Sequence, residues 1–275
     1  GSNGFALRGA AAEDYSGTSV SGASDFNGDG IADVAIGAFA AAPNGDRSGA
    51  SYVVFGKDAA SDGAFPASIE LSALDGRNGF ALYGVGVQDN AGFSVSDAGD
   101  INGDGIADLL IGAPKGNLDS TEGPQGATYV VFGRDTHTEG DFPAEIELSS
   151  LDGSNGFVLY GENADDESGD AVSGAGDFDG DGIDDLIIAA PGSSLTAVVF
   201  GRDTTADGNF PASVDLGPDF LNGTNGFSFK GQGSTSVSDA GDVNGDGIAD
   251  LIIGSPEASP NGVYLSPVRG YFPVR

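Results

Sequence analysis

The sequence is short of several residue types, and each shortage excludes a class of structure or function. It contains no cysteine, no methionine and no tryptophan, and it has 10 lysine and arginine residues against 42 aspartate and glutamate residues. Without cysteine, neither a disulfide framework nor a thiolate metal site can form. No apolar run approaches the roughly 18 residues that a membrane-spanning helix needs. The formal net charge of −32 disfavours nucleic acid and anionic membranes as partners and favours cations.

Residues suited to catalysis are also scarce. The single histidine, His137, lies in the polar segment "RDTHTEG", where the sequence assigns it neither a nucleophile nor an orienting partner. One histidine without cysteine does not support zinc chemistry, and no lysine stands in a phosphate-binding loop pattern. A glycosidase would need two carboxylates at a set separation, but the conspicuous acidic residues belong to a repeated loop. We therefore expect that the protein is not an enzyme.

What the sequence does contain is four copies of one acidic, glycine-punctuated loop that leads into an apolar strand. The copies read "DFNGDGIADVAIGA", "DINGDGIADLLIGA", "DFDGDGIDDLIIAA" and "DVNGDGIADLIIGS". Their first residues, Asp25, Asp100, Asp177 and Asp242, are 75, 77 and 65 residues apart. A long fourfold period indicates a repeat architecture, and abundant glycine without sustained helical periodicity indicates that the repeats are β.

Each repeat contains four strand patterns. A segment of small residues such as "SVSDAGD" precedes the loop, and an apolar run such as "LLIGA" follows it, as is typical of a strand covered on both faces. A third strand of the "SYVVFG" type and an alternating outer strand of the "GFALYG" type come next. Segments such as "FPASIELSALDG" between them are interpreted as surface connections with a short extended piece. The sequence therefore predicts an all-β single domain over residues 1–275, a four-bladed β-propeller of four-stranded antiparallel blades.

The strand order at the two ends of the sequence bears on ring closure. Residues 4–9 form a fourth-type strand, and a third-type strand lies around residues 262–267. We predict that the N-terminal strand pairs into the last blade, with Phe5 and Leu7 completing it, because this removes exposed sheet edges. The alternative is a fragment of a larger propeller, whose opening strand belongs to another blade. No initiator methionine or secretion signal precedes Gly1, so we expect either an artificial start or the edge of a module from a longer protein.

The four loops have the ligand pattern of a calcium site over residues 25–33, 100–108, 177–185 and 242–250. Positions 1, 3, 5 and 9 carry carboxylate or amide groups, the glycine at position 6 permits a sharp turn, and position 7 can offer its backbone carbonyl. Calcium prefers six to eight such oxygens, whereas magnesium resists giving up its waters. The tendency of Asp, Asn and Gly to form turns is a poor explanation for four copies of the same ligand pattern. We predict about four Ca²⁺ ions per chain, one per repeat, held by Asp25, Asn27, Asp29, Ile31, Asp33, Asp100, Asn102, Asp104, Ile106, Asp108, Asp177, Asp179, Asp181, Ile183, Asp185, Asp242, Asn244, Asp246, Ile248 and Asp250.

These loops are not EF-hands. An EF-hand needs a bidentate glutamate at position 12, and that position is Ile36, Ile111, Ile188 or Ile253 here. The ninth-position aspartate must complete the ligand shell instead, at the point where the loop becomes a strand. Because bound cations would neutralise thirteen aspartates gathered in the loops, we expect calcium to stabilise the fold rather than to act as a signal.

The repeats resemble FG-GAP repeats, which occur in the N-terminal β-propeller of integrin α subunits and in large secreted bacterial and cyanobacterial proteins. The "GAP" element is Gly112-Ala113-Pro114, with variants at 37–39, 189–191 and 254–256, whereas the Phe-Gly element is reduced to a reversed Gly92-Phe93. The resemblance covers nearly the whole chain and implies that the loops between the first two strands of each blade bind Ca²⁺. Integrin propellers have seven blades and this chain has four repeats, so integrin ligand sites are not carried over.

Residues and resemblance together predict a calcium-stabilised adhesion or protein-interaction module, part of a larger secreted or cell-surface protein of bacterial origin. The expected partner is an extracellular protein or a glycan, with no nucleic acid and no membrane insertion. One alternative is a calcium-dependent carbohydrate-binding propeller, a lectin. The lack of tryptophan counts against it, although Tyr15, Tyr83 and Tyr160 could stack on sugars. A purely structural spacer is a third possibility.

Overall fold

The computed structural model describes residues 4–117, 123–231, 235–256 and 263–264. The fold is all-β, as predicted. In chain order the strands are β1 (Ala6–Arg8), β2 (Val20–Gly22), β3 (Val34–Ala38), β4 (Ala50–Val54), β5 (Ser68–Glu70), β6 (Gly79–Tyr83), β7 (Ser94–Gly99), β8 (Asp108–Ala113), β9 (Ala127–Val131), β10 (Glu145–Glu147), β11 (Gly156–Tyr160), β12 (Ala171–Gly176), β13 (Asp185–Ala190), β14 (Leu195–Val199), β15 (Ser213–Asp215), β16 (Gly226–Lys230), β17 (Ser236–Gly241), β18 (Asp250–Gly254) and β19 (Val263–Tyr264).

The strands form successive antiparallel sheets, called blades below, in an arrangement consistent with a propeller. The strand orders are β2-β3-β4-β6, β7-β8-β9-β11 and β12-β13-β14-β16, and the described part of the fourth blade is β17-β18-β19. The predicted strand types are therefore confirmed in their predicted order. Every residue of β4, β8, β9, β13 and β14 is buried, which explains why these runs are apolar without alternation.

The connections between third and fourth strands do more than cross the surface. Their short extended pieces pair in parallel with the outer strand of the preceding blade, β10 with β6 and β15 with β11. The first and second blades thus each gain a fifth strand from the blade that follows, which the sequence does not reveal because three residues carry no clear periodicity. The same connections hold the helices α1 (Thr136–Glu139) and α2 (Thr204–Asp207), and 3-10 helices lie at Leu71–Ala73, Leu148–Ser150 and Pro191–Ser193.

The N-terminal strand follows this same rule. It pairs in parallel with β5 of the first blade, and Phe5 stacks on Phe65 at 4.3 Å between ring centroids, much as Phe80 stacks on Phe142 at 4.7 Å. β1 therefore takes the place of the outer strand of a blade preceding the first. Its predicted pairing with the last blade is not among the described strand pairings. Only Val263–Tyr264 of the predicted strand at 262–267 is among the described residues, so ring closure stays a prediction.

The apolar cores lie between successive blades. Each blade has a back face, made by the residue at loop position 2 and the residue two places after the ninth-position aspartate. The next blade presents a front face, the valine of its inner strand. At each of the three seams, both back-face residues and the front-face valine belong to one buried cluster; these sets are Phe26, Ala35 and Val95, then Ile101, Leu110 and Val172, then Phe178, Ile187 and Val237.

Candidate metal loops at the seams between blades

Each acidic loop joins the first two strands of its blade and is closed by its first aspartate. The Asp25 carboxylate accepts hydrogen bonds from the backbone N–H groups of Asp29 at 2.9 Å and Gly30 at 2.8 Å. The first aspartates of the other loops also accept the position-6 N–H, and those of the second and fourth loops accept the position-5 N–H as well. Gly30 has a φ of 87°, a conformation that glycine adopts without steric cost. The sharp turn predicted at position 6 is therefore present.

The ninth-position aspartate ties the loop to the rest of its blade. Asp185 accepts the N–H of Phe178 at one oxygen and that of Gly201 at the other, both at 2.9 Å. Asp33 and Asp108 make the matching pairs of bonds. Burial raises the pKa of Asp185 to about 8 and that of Asp33 to about 7, because desolvation outweighs the hydrogen bonds that favour the charged form. A cation beside these carboxylates would act in the opposite direction.

The third loop brings its carboxylates closest together. One oxygen from each of Asp177, Asp179 and Asp185 lies within 4.8 Å of the others. Position 3 is aspartate only in this loop; elsewhere it is asparagine, as at Asn27, whose side-chain oxygen accepts the N–H of Asp29 at 2.9 Å. Oxygens from carboxylates and amides are the ligands that calcium prefers. The donor set of the loops therefore fits this ion.

In the first two blades, the residue at the third loop position accepts hydrogen bonds from the blade that follows. Thr136, at the start of α1, donates from its N–H at 2.9 Å and from its hydroxyl at 3.0 Å to the carbonyl of Asn27. Thr204, at the start of α2, makes the same two bonds to Asn102, at 2.9 and 3.1 Å. Sequence reasoning missed these threonines, although both follow a shared Gly-Arg-Asp. The first two loops therefore lie in seams, each contacted by the next blade.

The four loops share a pattern but not an environment. Asp33, Asp108 and Asp185 are buried, whereas the fourth loop, including Asn244 and Asp246, is largely exposed. Backbone hydrogen bonds, chiefly from Gly247, lower the pKa of its first aspartate. Ile36, Ile111, Ile188 and Ile253 all lie within second strands, as predicted for loops that are not EF-hands. The position-7 isoleucines donate their N–H groups to the position-5 carboxylates.

The single histidine and the tyrosines singled out in the sequence lie outside the acidic loops. His137 lies in α1 with its side chain 74% exposed, and its Nδ1 is 3.6 Å from the N-cap carboxylate of Asp135. Tyr83 donates to Glu145 at 3.1 Å, and both it and Tyr160 pack against buried clusters. Of the three tyrosines considered for sugar stacking, Tyr15 has the most accessible ring.

A family model described as FG-GAP repeat matches residues 16–54, 93–131, 168–209 and 234–267. Each matched segment contains one inner strand, one acidic loop and the strand that follows it. The chain belongs to the FG-GAP repeat family. The resemblance predicted from the loops and the "GAP" element is thus confirmed.

Relatives of this FG-GAP chain include proteins of two kinds. Integrin alpha-PS5 of Drosophila melanogaster is 32% identical over 187 residues, covering 67% of this chain and 16% of the relative. Integrin alpha-4 of Xenopus laevis is 32% identical over 162 residues, 58% of this chain and 14% of the relative. A phosphatidylinositol-glycan-specific phospholipase D of Dictyostelium discoideum is 26% identical over 214 residues, 72% of this chain and 21% of the relative. The chain thus spans about a fifth or less of these proteins, one of which bears an enzyme's name.

The described residues contain no helix that is long and apolar enough to cross a membrane.

Proposed function

We propose that the chain is a calcium-stabilised protein-interaction module of a secreted or cell-surface protein. The observation that carries this proposal is the convergence of Asp177, Asp179 and Asp185, with oxygens within 4.8 Å of one another. Carboxylates at this separation repel one another unless they bind protons or a cation. Calcium accepts such a crowded, all-oxygen set readily, whereas magnesium demands a smaller and more regular shell.

The same ligand pattern in the other three loops extends the proposal to one ion per repeat. In each loop, the side chains at positions 1, 3, 5 and 9 would hold the ion, and the carbonyl at position 7 would add a backbone ligand. Because the next blade contacts the first two loops through Thr136 and Thr204, ordering a loop also supports a seam. A ligand present at 100 times its dissociation constant stabilises by about 2.7 kcal/mol per site. Four such sites are comparable to the stability of an ordinary domain.

A calcium titration tests this proposal directly. The protein is melted in EDTA and then at increasing calcium, and bound calcium is counted by atomic emission after gel filtration. We expect a large rise in melting temperature and about four ions per chain, with magnesium at equal concentration as the control. An unchanged melt with no bound calcium would reduce the loops to acidic turns and overturn the proposal.

The integrin relatives support a protein partner and an extracellular location. Extracellular calcium modules work with dissociation constants of about 10⁻⁴–10⁻³ M, a range suited to ions that stabilise a fold permanently in that compartment. A glycan partner is the weaker choice, since Tyr83 and Tyr160 are engaged in packing. Reproducible calcium-dependent binding on a glycan array would reverse this preference.

A further inference from the structure

The second and third blades each contain a Gly-Arg-Asp-Thr segment, residues 133–136 and 201–204, that contacts two acidic loops. The first of these segments begins on the loop of its own blade. The Gly133 N–H donates to the ninth-position carboxylate of Asp108 at 2.9 Å, and this carboxylate is buried. The segment is therefore fixed at its start by a proposed ligand of the second loop.

The rest of the same segment is bonded to the loop of the preceding blade. The Arg134 N–H donates to the Phe26 carbonyl at 3.1 Å. Thr136 donates its N–H and its hydroxyl to the Asn27 carbonyl, at 2.9 and 3.0 Å. Phe26 and Asn27 are positions 2 and 3 of the first loop. A four-residue segment thus joins a proposed ligand of the second loop to the backbone of the first.

The seam between the second and third blades repeats this arrangement. Gly201 donates its N–H to the ninth-position carboxylate of the third loop at 2.9 Å. The Arg202 N–H donates at 3.0 Å to the carbonyl at position 2 of the second loop, and Thr204 makes the two bonds to position 3 described above. The same chain of contacts therefore connects the third loop to the second.

The segments also pack tightly against the loops. A methyl group added at Gly28, position 4 of the first loop, would lie 2.9 Å from the Cα atom of Asp135. One added at Gly103 of the second loop would lie 3.0 Å from the Cα atom of Asp203. Backbone meets backbone at both places, and close-packed contacts transmit displacement. Neither loop can change its conformation here without moving the segment.

We propose that the Gly-Arg-Asp-Thr segments couple calcium binding at neighbouring loops, so that an ion at the second loop raises the calcium affinity of the first and third loops. This inference rests on the proposed function, because it requires that the loops bind calcium. An ion that orders Asp108 also orders Gly133, and the segment then holds Phe26 and Asn27 in the conformation in which the first loop binds its own ion. Such coupling is a free energy and is reciprocal between the two sites.

Charge alone predicts the opposite sign. A divalent ion at the second loop makes its surroundings more positive, which weakens the binding of another cation nearby. Salt screens this repulsion over about 8–10 Å at physiological ionic strength, whereas it leaves a hydrogen-bonded, close-packed link in place. The direction of the effect therefore distinguishes coupling through the segments from electrostatics.

Hydrogen exchange followed by mass spectrometry reads each loop separately in a calcium titration of the whole chain. Peptides covering residues 25–33 and 100–108 give the calcium concentration at which each loop is half-protected. Asp104→Ala removes a position-5 ligand of the second loop and leaves the bonds of residues 133–136 intact. We expect this variant to raise the midpoint of the first loop by about 5- to 150-fold, the usual range of coupling between sites. By reciprocity, Asp29→Ala in the first loop should raise the midpoint of the second loop by a similar factor.

Two further variants separate the segment from general effects of charge. Asp46→Ala removes the same charge from the connection between β3 and β4, at the opposite end of the first blade from its acidic loop, and should leave both midpoints unchanged. Thr136→Pro removes both donors to the Asn27 carbonyl. Proline suits the first position of a helix, and the preceding Asp135 already has an extended backbone, with φ −72° and ψ 103°. In this background, the effect of Asp104→Ala on the first loop should shrink.

The outcomes distinguish this inference from the proposed function. If calcium protects the loops but Asp104→Ala leaves the first-loop midpoint unchanged or lowers it, the coupling is wrong and the calcium sites remain. A shift that Thr136→Pro leaves undiminished also overturns the coupling. If Thr136→Pro does not fold, Thr136→Val, which loses only the hydroxyl bond, should reduce the shift in part. Calcium that protects no loop of the unchanged chain contradicts the proposed function itself.

Discussion

The seams between blades and the two outer faces are built from the same repeat, yet they differ in burial. Phe142 lies in a buried cluster with Phe26 and Phe80, whereas its equivalent Phe65 stacks on Phe5 and stays partly exposed. The residue type, the flanking sequence and the strand pairing are alike. The difference is the neighbouring blade. In this chain, as in repeat proteins generally, much of the stability therefore belongs to interfaces rather than to repeats.

The acidic loops also differ in burial, although they share one sequence pattern. Asp185 is buried and its pKa is raised to about 8, while Asp250 is only half-buried in a loop that is otherwise exposed. Both aspartates accept the N–H of the residue at loop position 2, each at 2.9 Å. The backbone conformation of the loop is thus determined by the sequence of the repeat itself. The electrostatic cost of its carboxylates depends on the burial around them.

The largest effect should come from removing a seam aromatic. Phe142→Ala empties a site where the Phe80 ring stacks at 4.7 Å and the Arg134 guanidinium lies 4.3 Å above the ring. Replacing a buried phenylalanine by alanine costs about 3–5 kcal/mol, so we expect a loss in this range in urea unfolding followed by circular dichroism.

Phe65→Ala is the matched change at the outer face. The half-buried Phe65 contacts Phe5 and Lys57, and we expect a loss of about 1–2 kcal/mol because less apolar area is removed from contact. Equal losses for the two variants in the calcium-loaded protein would mean that the front face is covered in solution. That outcome would agree with the predicted closed ring, and repeating the pair in a Val20→Asp background should restore the difference.

Much of this fold is predictable from the sequence because each repeat contains recognisable patterns for its strands. The four strand types and the loops follow from short patterns such as "LLIGA" and "DINGDGIADLL", where local chemistry decides the structure. The parallel addition of β10 to β6 was not predictable, since it joins three residues to a strand in another repeat. The contact of Thr136 with Asn27 spans 109 residues for the same reason. Burial of Val95 but not Val20 depends on a neighbour, which no single repeat encodes.

An intermediate effect is expected at the ninth loop position. Asp185→Asn keeps the shape but places an amide N–H₂ against a backbone N–H that the carboxylate accepted, which leaves a buried donor unsatisfied at about 1–3 kcal/mol. It also removes charge from the proposed ion site. In saturating calcium we expect Asp185→Asn to cost about 1–3 kcal/mol more than Asp250→Asn, because both variants weaken one proposed ion site but only the buried Asp185 also leaves a buried donor unsatisfied.

Repeating the Asp185→Asn measurement in EDTA separates the two causes. Without calcium, and at a pH above the Asp185 pKa of about 8 where this carboxylate is charged, the neutral amide relieves repulsion from Asp177 and Asp179, so the loss should shrink. A loss that is identical with and without calcium would show that Asp185 serves only the backbone. The calcium count of this variant should fall by one ion if the loop is a site.

The smallest effect should come from the hydroxyl that joins a loop to the next blade. Thr136→Val removes the 3.0 Å bond to the Asn27 carbonyl but keeps the backbone N–H bond and the side-chain shape. A single neutral hydrogen bond contributes about 0.5–1.5 kcal/mol, and we expect a loss in that range together with weaker calcium binding at the first loop. Thr138→Val, two residues along in α1, is the control, because its hydroxyl bonds only within the helix to the Asp135 carbonyl at 3.3 Å. If both variants weaken calcium binding alike, the hydrogen bond from Thr136 does not support the loop. If only Thr136→Val weakens it, the second blade helps to order the first loop for calcium binding.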